Sequence, residues 1–227
     1  MRWGLGIGAL LAVLLATGAF LAATAPGLRA LAGLATALSG GRLAFDGVAG
    51  TLAGPFDIRS LRIETATQRI VLEGLHVDWQ PRALGQGLLD IDLLAARALR
   101  ITATQPDTTP LELPASLRLP FDVRVRRVDL ARFERTDLGG GQLQLAGLRG
   151  RLDGQGERWR LQEATAAAPW GTARGEASLG KDAPFALTGQ LDARGKLPLP
   201  LRARATLAGT LAAPQFDLAA DADAMHF

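Results

Sequence analysis

The sequence contains no cysteine, no tyrosine and no asparagine. Without cysteine there is no disulfide, no thiolate nucleophile and no Cys-based zinc site. An oxidising compartment would therefore go unused. Lysine is nearly missing too: Lys181 and Lys196 are the only two among 25 basic residues, and 22 acidic residues almost balance them. Aromatic residues make up 5%. A nucleic-acid interface needs a concentrated basic footprint with stacking aromatics. Neither is present, so nucleic acid is not an expected partner.

Recognisable chemistry is also missing. There is no H-E-x-x-H, no G-x-S-x-G and no P-loop. Gly180-Lys181 runs into Asp182, not Ser or Thr. His76 and His226 are far apart, and His76 alternates with Leu75 and Val77, as a solvent-facing strand residue would. Asp90 and Asp92 share one strand face and read as a solvated face. Arg124, Arg126 and Arg127 read as an exposed strand face, with a phosphate or headgroup contact as the alternative. No catalytic residue, metal or cofactor is expected, and the chain is not expected to be an enzyme.

Charge is absent from most of the N-terminus. After Arg2 the next charge is Arg29, and the first acid is Asp46. A run of about 22 apolar or small residues, 4–25, would span roughly 33 Å as a helix, enough for a bilayer core. Ala23-Thr24-Ala25 offers an A-x-A cleavage site, but Pro26 follows it and the run exceeds a usual h-region. An uncleaved transmembrane signal anchor over 1–25 is the favoured reading. Arg2 then lies on the cytoplasmic side and the remainder across the membrane. In 26–40, Leu28, Leu31, Leu34, Ala35 and Leu38 keep helical spacing between Pro26 and Gly40-Gly41. This short helix would lie on the membrane surface or cap the first strands.

Apolar residues make up 48% of the chain, and from residue 42 onward they mostly alternate. Phe56 and Ile58 are followed by Leu61 and Ile63. Ile70 and Leu72 are followed by Leu75, Val77 and Trp79. Phe121, Val123 and Val125 are followed by Val128 and Leu130. Segment 143–152 does the same. Each alternates, slips by one residue and alternates again. A slip reverses the faces unless the backbone absorbs a residue, through a bulge or a tight hairpin. Gly74 and Gly147 sit at two of the slips. Further strands are expected over 88–94, 99–104, 159–166, 172–179, 185–191, 201–207 and 216–220, about a dozen in all. Pro81 to Gly85 reads as a helical break. Short turns imply antiparallel meanders. Residues 105–120, with prolines at 106, 110, 114 and 120, read as a linker or edge loop. It divides a first β segment, 41–104, from a second, 121–227.

The residues also carry a family resemblance. Gly41-Arg42-Leu43-Ala44-Phe45-Asp46-Gly47 resembles an opening strand of the TamB family, the inner-membrane subunits of the translocation and assembly module. Trp79-Gln80-Pro81-Arg82-Ala83-Leu84, followed by Leu88-Leu89-Asp90-Ile91, resembles its W-x-P-x-x-L element. Ala168-Pro169-Trp170-Gly171 and Pro184-Phe185-Ala186-Leu187-Thr188-Gly189 resemble its later repeats. The motif residues are Trp79, Pro81 and Leu84. Family members are several times longer and end in a C-terminal domain not seen here, so a fragment or a short relative is expected.

These proteins are AsmA-like and resemble bridge-like lipid-transfer proteins. The resemblance implies a mainly β fold, an elongated, curled antiparallel sheet with an apolar groove. It implies phospholipid as cargo, an inner-membrane anchor with the bulk of the chain in the periplasm, and an Omp85-type outer-membrane barrel as partner. The groove would be lined by Phe45, Phe56, Ile58, Leu61, Ile63, Ile70, Leu72, Leu75, Val77, Phe121, Val123, Val125, Val128 and Leu130. The alternative is a scaffold for inserting outer-membrane proteins.

Overall fold

The computed structural model describes residues 24–106, 115–196 and 200–222. Residues 1–23 of the expected anchor lie outside the described residues. Among the described residues no helix is long and apolar enough to cross a membrane.

Helix α1 (Ala25–Leu38) starts where Thr24, in extended backbone, accepts a hydrogen bond from Gly27 N at 3.2 Å and Pro26 takes the first turn. It stops at Ser39, followed by Gly40 and Gly41 in left-handed backbone. The helix lies along the first strand, and Arg29 Nε donates to Val48 O at 3.1 Å.

All the strands belong to one sheet, in sequence order. They are β1 (Leu43–Gly50), β2 (Phe56–Glu64), β3 (Gln68–Gln80), β4 (Leu88–Ala103), β5 (Asp122–Thr136) and β6 (Gln142–Asp153), then β7 (Arg158–Ala168), β8 (Gly171–Gly180), β9 (Leu187–Lys196), β10 (Pro200–Gly209) and β11 (Pro214–Ala222). The sheet is open: β1 and β11 are its two edges. A short 3₁₀ helix, Pro81–Gln86, fills the expected break and ends on left-handed Gly87.

Three expectations are corrected. The sheet is not antiparallel throughout, because β4 and β5 pair parallel. A parallel pair cannot be closed by a tight turn, so the proline-bearing stretch after β4 is a crossover. Second, 88–94 and 99–104 are one strand, β4. Third, Phe185 belongs to no strand; it is buried in the turn between β8 and β9.

The far end of the crossover is pinned. Leu117 N donates to Lys181 O at 2.7 Å. Arg118 grips Asp182, with Nη2–Oδ2 at 2.5 Å. Trp159 Nε1 donates to Leu117 O at 3.3 Å. Buried Lys181 lies over the Trp159 ring, 5.1 Å from its centroid, and donates to Gly154 O. Arg118, and secondarily Ser116, hold the Asp182 carboxyl below its ordinary value by hydrogen bonding.

The slips are within strands, not at hairpins, and they are aligned. The paired registers of β1 to β6 skip the same line of residues: Gly47, Arg59, Gly74, Arg97, Ala131 and Gly147. Gly47, Gly74 and Gly147 have φ of 64°, 61° and 58°. A Cβ on Gly47 would meet Arg59 Cβ at 2.6 Å, and one on Gly74 would meet Arg97 Nε at 2.4 Å. Only glycine adopts this backbone freely beside a side chain that close.

Candidate functional site: one apolar face

Residues directly paired across strands point to the same side of a sheet. The register can therefore be followed from β1 to β11. Phe45 pairs with Leu61, Leu61 with Leu72, Leu72 with Leu99 and Leu99 with Phe133; Phe133 then pairs with Leu145. Below the line of slips, Val48 pairs with Ile58 and Ile58 with Leu75, while Phe56 pairs with Val77 and Val77 with Leu94; Leu94 then pairs with Val128. The slip thus occurs at the same level in β1 to β6, and the apolar residues stay on one side.

The face continues beyond β6. Leu152 pairs with Leu161, Leu161 with Ala177, Ala177 with Gly189, Gly189 with Leu207 and Leu207 with Phe216. The opposite face carries nearly all the charge; Arg135, paired between Ile101 and Leu143 at the end of β5, is an exception on the apolar side. On the charged face Arg62 lies between Ala44 and Val71, and Glu73 lies between Ser60 and Ala98.

The groove residues named from the sequence fall together. Phe45, Phe56, Ile58, Leu61, Ile63, Ile70, Leu72, Leu75, Val77, Val123, Val125, Val128 and Leu130 share this face, and Trp79 joins them opposite Ile91. Phe121 lies just ahead of β5. Pro81 opens the 3₁₀ helix and Leu84 lies exposed on it. Ile58, Val77, Val123 and Val125 are buried, and the others are half-buried. Trp79 Nε1 is buried without a hydrogen-bond partner.

Sequence reasoning left out β4's contribution (Leu89, Ile91, Leu94, Leu99 and Ile101), although its alternation carried the same signal. It also left out β7 to β10, where alternating Ala and Gly give little apolar signal.

No second layer of strands packs on this face among the described residues, since all of them form one sheet. Leu161, Leu191, Phe216 and Leu218 are exposed, the last two at 71% and 73%. Cavities of about 200 and 260 Å³ lie on it. Leu161, Ala164, Gly175 and Leu191 line both; Ala205, Leu207 and Phe216 extend the larger one.

The polar face is organised around the parallel junction, and one reading is corrected there. Asp90 is not solvated: it is 4% exposed. Arg126 Nη2 lies 2.7 Å from its Oδ2, and Arg124 Nη1 lies 3.8 Å away. Both arginines remain partly exposed while paired with Asp90. Arg100 spans three strands, 2.6 Å from Glu73 and 3.0 Å from Glu134. Hydrogen bonds to Glu134 first, and then to Glu73, hold its guanidinium above its ordinary value. His76, expected to face solvent, lies on this face with Nδ1 2.7 Å from Asp57 Oδ1. Among the described residues no group of three or more His, Cys, Asp or Glu side chains is placed to hold a metal ion.

No curated protein and no solved structure matches the chain. A family model described as "TamB, N-terminal domain" matches residues 14–169, more than half of its length. With that match and the family's motifs lying in order along one sheet, the chain belongs to the TamB family.

Proposed function

We propose that this chain is a passive conduit for phospholipid, holding acyl chains against its apolar face while the headgroups stay in water. The observation that carries this reading is a largely apolar face that continues across the eleven described strands, with no covering layer of strands among the described residues. Burial of an acyl CH₂ is worth about 0.8 kcal/mol, so a sixteen-carbon tail in water costs roughly 12 kcal/mol. A continuous apolar surface lowers that cost at every point along it, and no reacting group is needed. At adjacent-strand spacing the sheet is roughly 50 Å across.

The aligned slips give the face its shape in this reading. At each one, two consecutive residues lie on the polar side: Asp46-Gly47, Arg59-Ser60, Glu73-Gly74, Arg97-Ala98, Ala131-Arg132 and Ala146-Gly147. More backbone on one side bends each strand toward the other. Because the slips are in register, the bends add into a crease, with the apolar side inside a trough. Segment 1–25 then anchors the chain in the inner membrane and the sheet stands in the periplasm. The two sheet segments, 41–104 and 121–227, act as one trough joined at β4 and β5.

Purified chain should carry phospholipid through detergent exchange, seen by native mass spectrometry and organic extraction. Ala177→Trp, which fills the larger cavity, should reduce the bound lipid several-fold. Delipidated chain that takes up no phospholipid from vesicles would contradict the proposal.

A second reading has its own observation. The outer edge of β11 carries exposed Phe216 and Leu218, and among the described residues no strand pairs with it. Such an edge can accept another strand, as a scaffold for outer-membrane proteins with an Omp85-type barrel partner would require. Site-specific crosslinks from Gln215 or Asp217 to a barrel protein would favour it.

A further inference from the structure

The helix α1 has two faces, and the sheet uses one. Gly27 and Leu28 are buried. Arg29 reaches the outer edge of β1 through Val48 O, so the helix closes that edge. The opposite face consists of Ala30, Gly33, Leu34, Ala37 and Leu38, all exposed, with Leu34 at 54% and Leu38 at 80%. It carries no polar side chain. A helix against water normally turns charged residues outward, and one that is apolar all round is covered.

We infer that the outer face of α1 docks on a lipid bilayer surface, laying the helix in the interface beside the first strand. Two observations select lipid as the cover. The run of apolar or small residues 4–25 leads directly into the helix, and no charge occurs before Arg29, so the apolar face is continuous in sequence with a membrane-length apolar segment. The first charges after that run, Arg29 and Arg42, are cationic, and no acid occurs before Asp46. That balance suits an anionic headgroup layer. Docking there would place β1 at the bilayer. The inference rests on the membrane attachment in the proposed function, not on the trough.

The absence of cysteine makes the test direct. Single cysteines at Leu34, Leu38 and, as a polar-face control, Thr188 would carry an environment-sensitive fluorophore. The full chain would be reconstituted into vesicles of phosphatidylethanolamine and phosphatidylglycerol. Labels at 34 and 38 should be quenched several-fold more by nitroxide-bearing lipid than the label at 188, and several-fold less by iodide. Adding Leu34→Glu to the Leu38→Cys chain should restore iodide quenching at 38.

Equal iodide quenching at 34, 38 and 188 would overturn the inference while leaving the trough untouched. Protection from both quenchers would mean that protein covers the face, and would overturn it as well. A chain that does not float with the vesicles would overturn the attachment itself, and this inference with it.

Discussion

On the apolar face, β1 to β6 present Phe45, Leu61, Leu72, Leu99, Phe133 and Leu145 along one paired line. Across β7 to β10 the same face carries Ala166, Ala173, Ala193 and Ala203 between fewer large residues. The polar faces differ in parallel. Asp90 with its two arginines and Arg100 with its two glutamates tie β3, β4 and β5 together. Toward β11 the cross-strand pair Arg194–Arg202 sets like charges opposite each other, and Arg204–Asp192 is an exposed ion pair. The first region fills its apolar side with large side chains and ties its polar side together with ion pairs. The second leaves room on its apolar side and little holding its polar side. Stability should therefore concentrate in β1 to β6, while the apolar face is roomiest toward β7 to β11.

The largest expected effect separates the two regions by charge insertion. Val125 is 3% exposed. Val125→Asp buries an unpaired carboxylate and should destabilise the fold by about 3–4 kcal/mol in urea titrations. Ala177→Asp, on the same face but half-buried beside open space, should cost about 1 kcal/mol. Equal costs would remove the distinction.

Ion pairs should show the same gradient. Asp90→Ala leaves Arg126 and Arg124 without their shared partner and should cost about 2 kcal/mol. Asp192→Ala should cost at most about 0.5 kcal/mol, because the Arg204 pair is exposed. The aligned slips can be probed next. Gly74→Ala places a Cβ against Arg97 in left-handed backbone and should cost about 2 kcal/mol. Gly140→Ala, in a turn with open space around it, should cost about 1 kcal/mol.

The smallest effect is pH-dependent. Arg118 depresses the carboxyl of Asp182. A depressed acid contributes stability above its unfolded value, and that contribution is lost as pH falls through the folded value. Below about pH 4 the crossover should loosen from the β8–β9 turn. Faster amide exchange at Leu117 than at Val125 on acidification would report it.

The alternation, the slips and the turns were legible in the sequence because period two is a local signal. Gly74 and Gly147 marked the slips for the same reason. That the slips line up was not legible, since register depends on pairings between distant strands. The parallel pairing of β4 with β5 was missed because a proline-bearing stretch looks alike as linker or crossover. Asp90 read as solvated because its neutralising arginines lie some 35 residues away, brought beside it only by that pairing. The C-terminal strands were legible, but their residues were not named for the apolar face, because Ala and Gly between the leucines weaken the hydrophobic signature there.

The central claim is that one face, and not the other, holds phospholipid. A photo-crosslinking amino acid placed at Leu72, Leu148 and Leu191 on the apolar face, and at Arg62, Arg149 and Thr188 on the polar face, tests it most directly in membranes containing the full chain. The account predicts phospholipid adducts at the first three positions and few at the other three. Adducts equal on both faces, or absent from Leu72, Leu148 and Leu191, would contradict it.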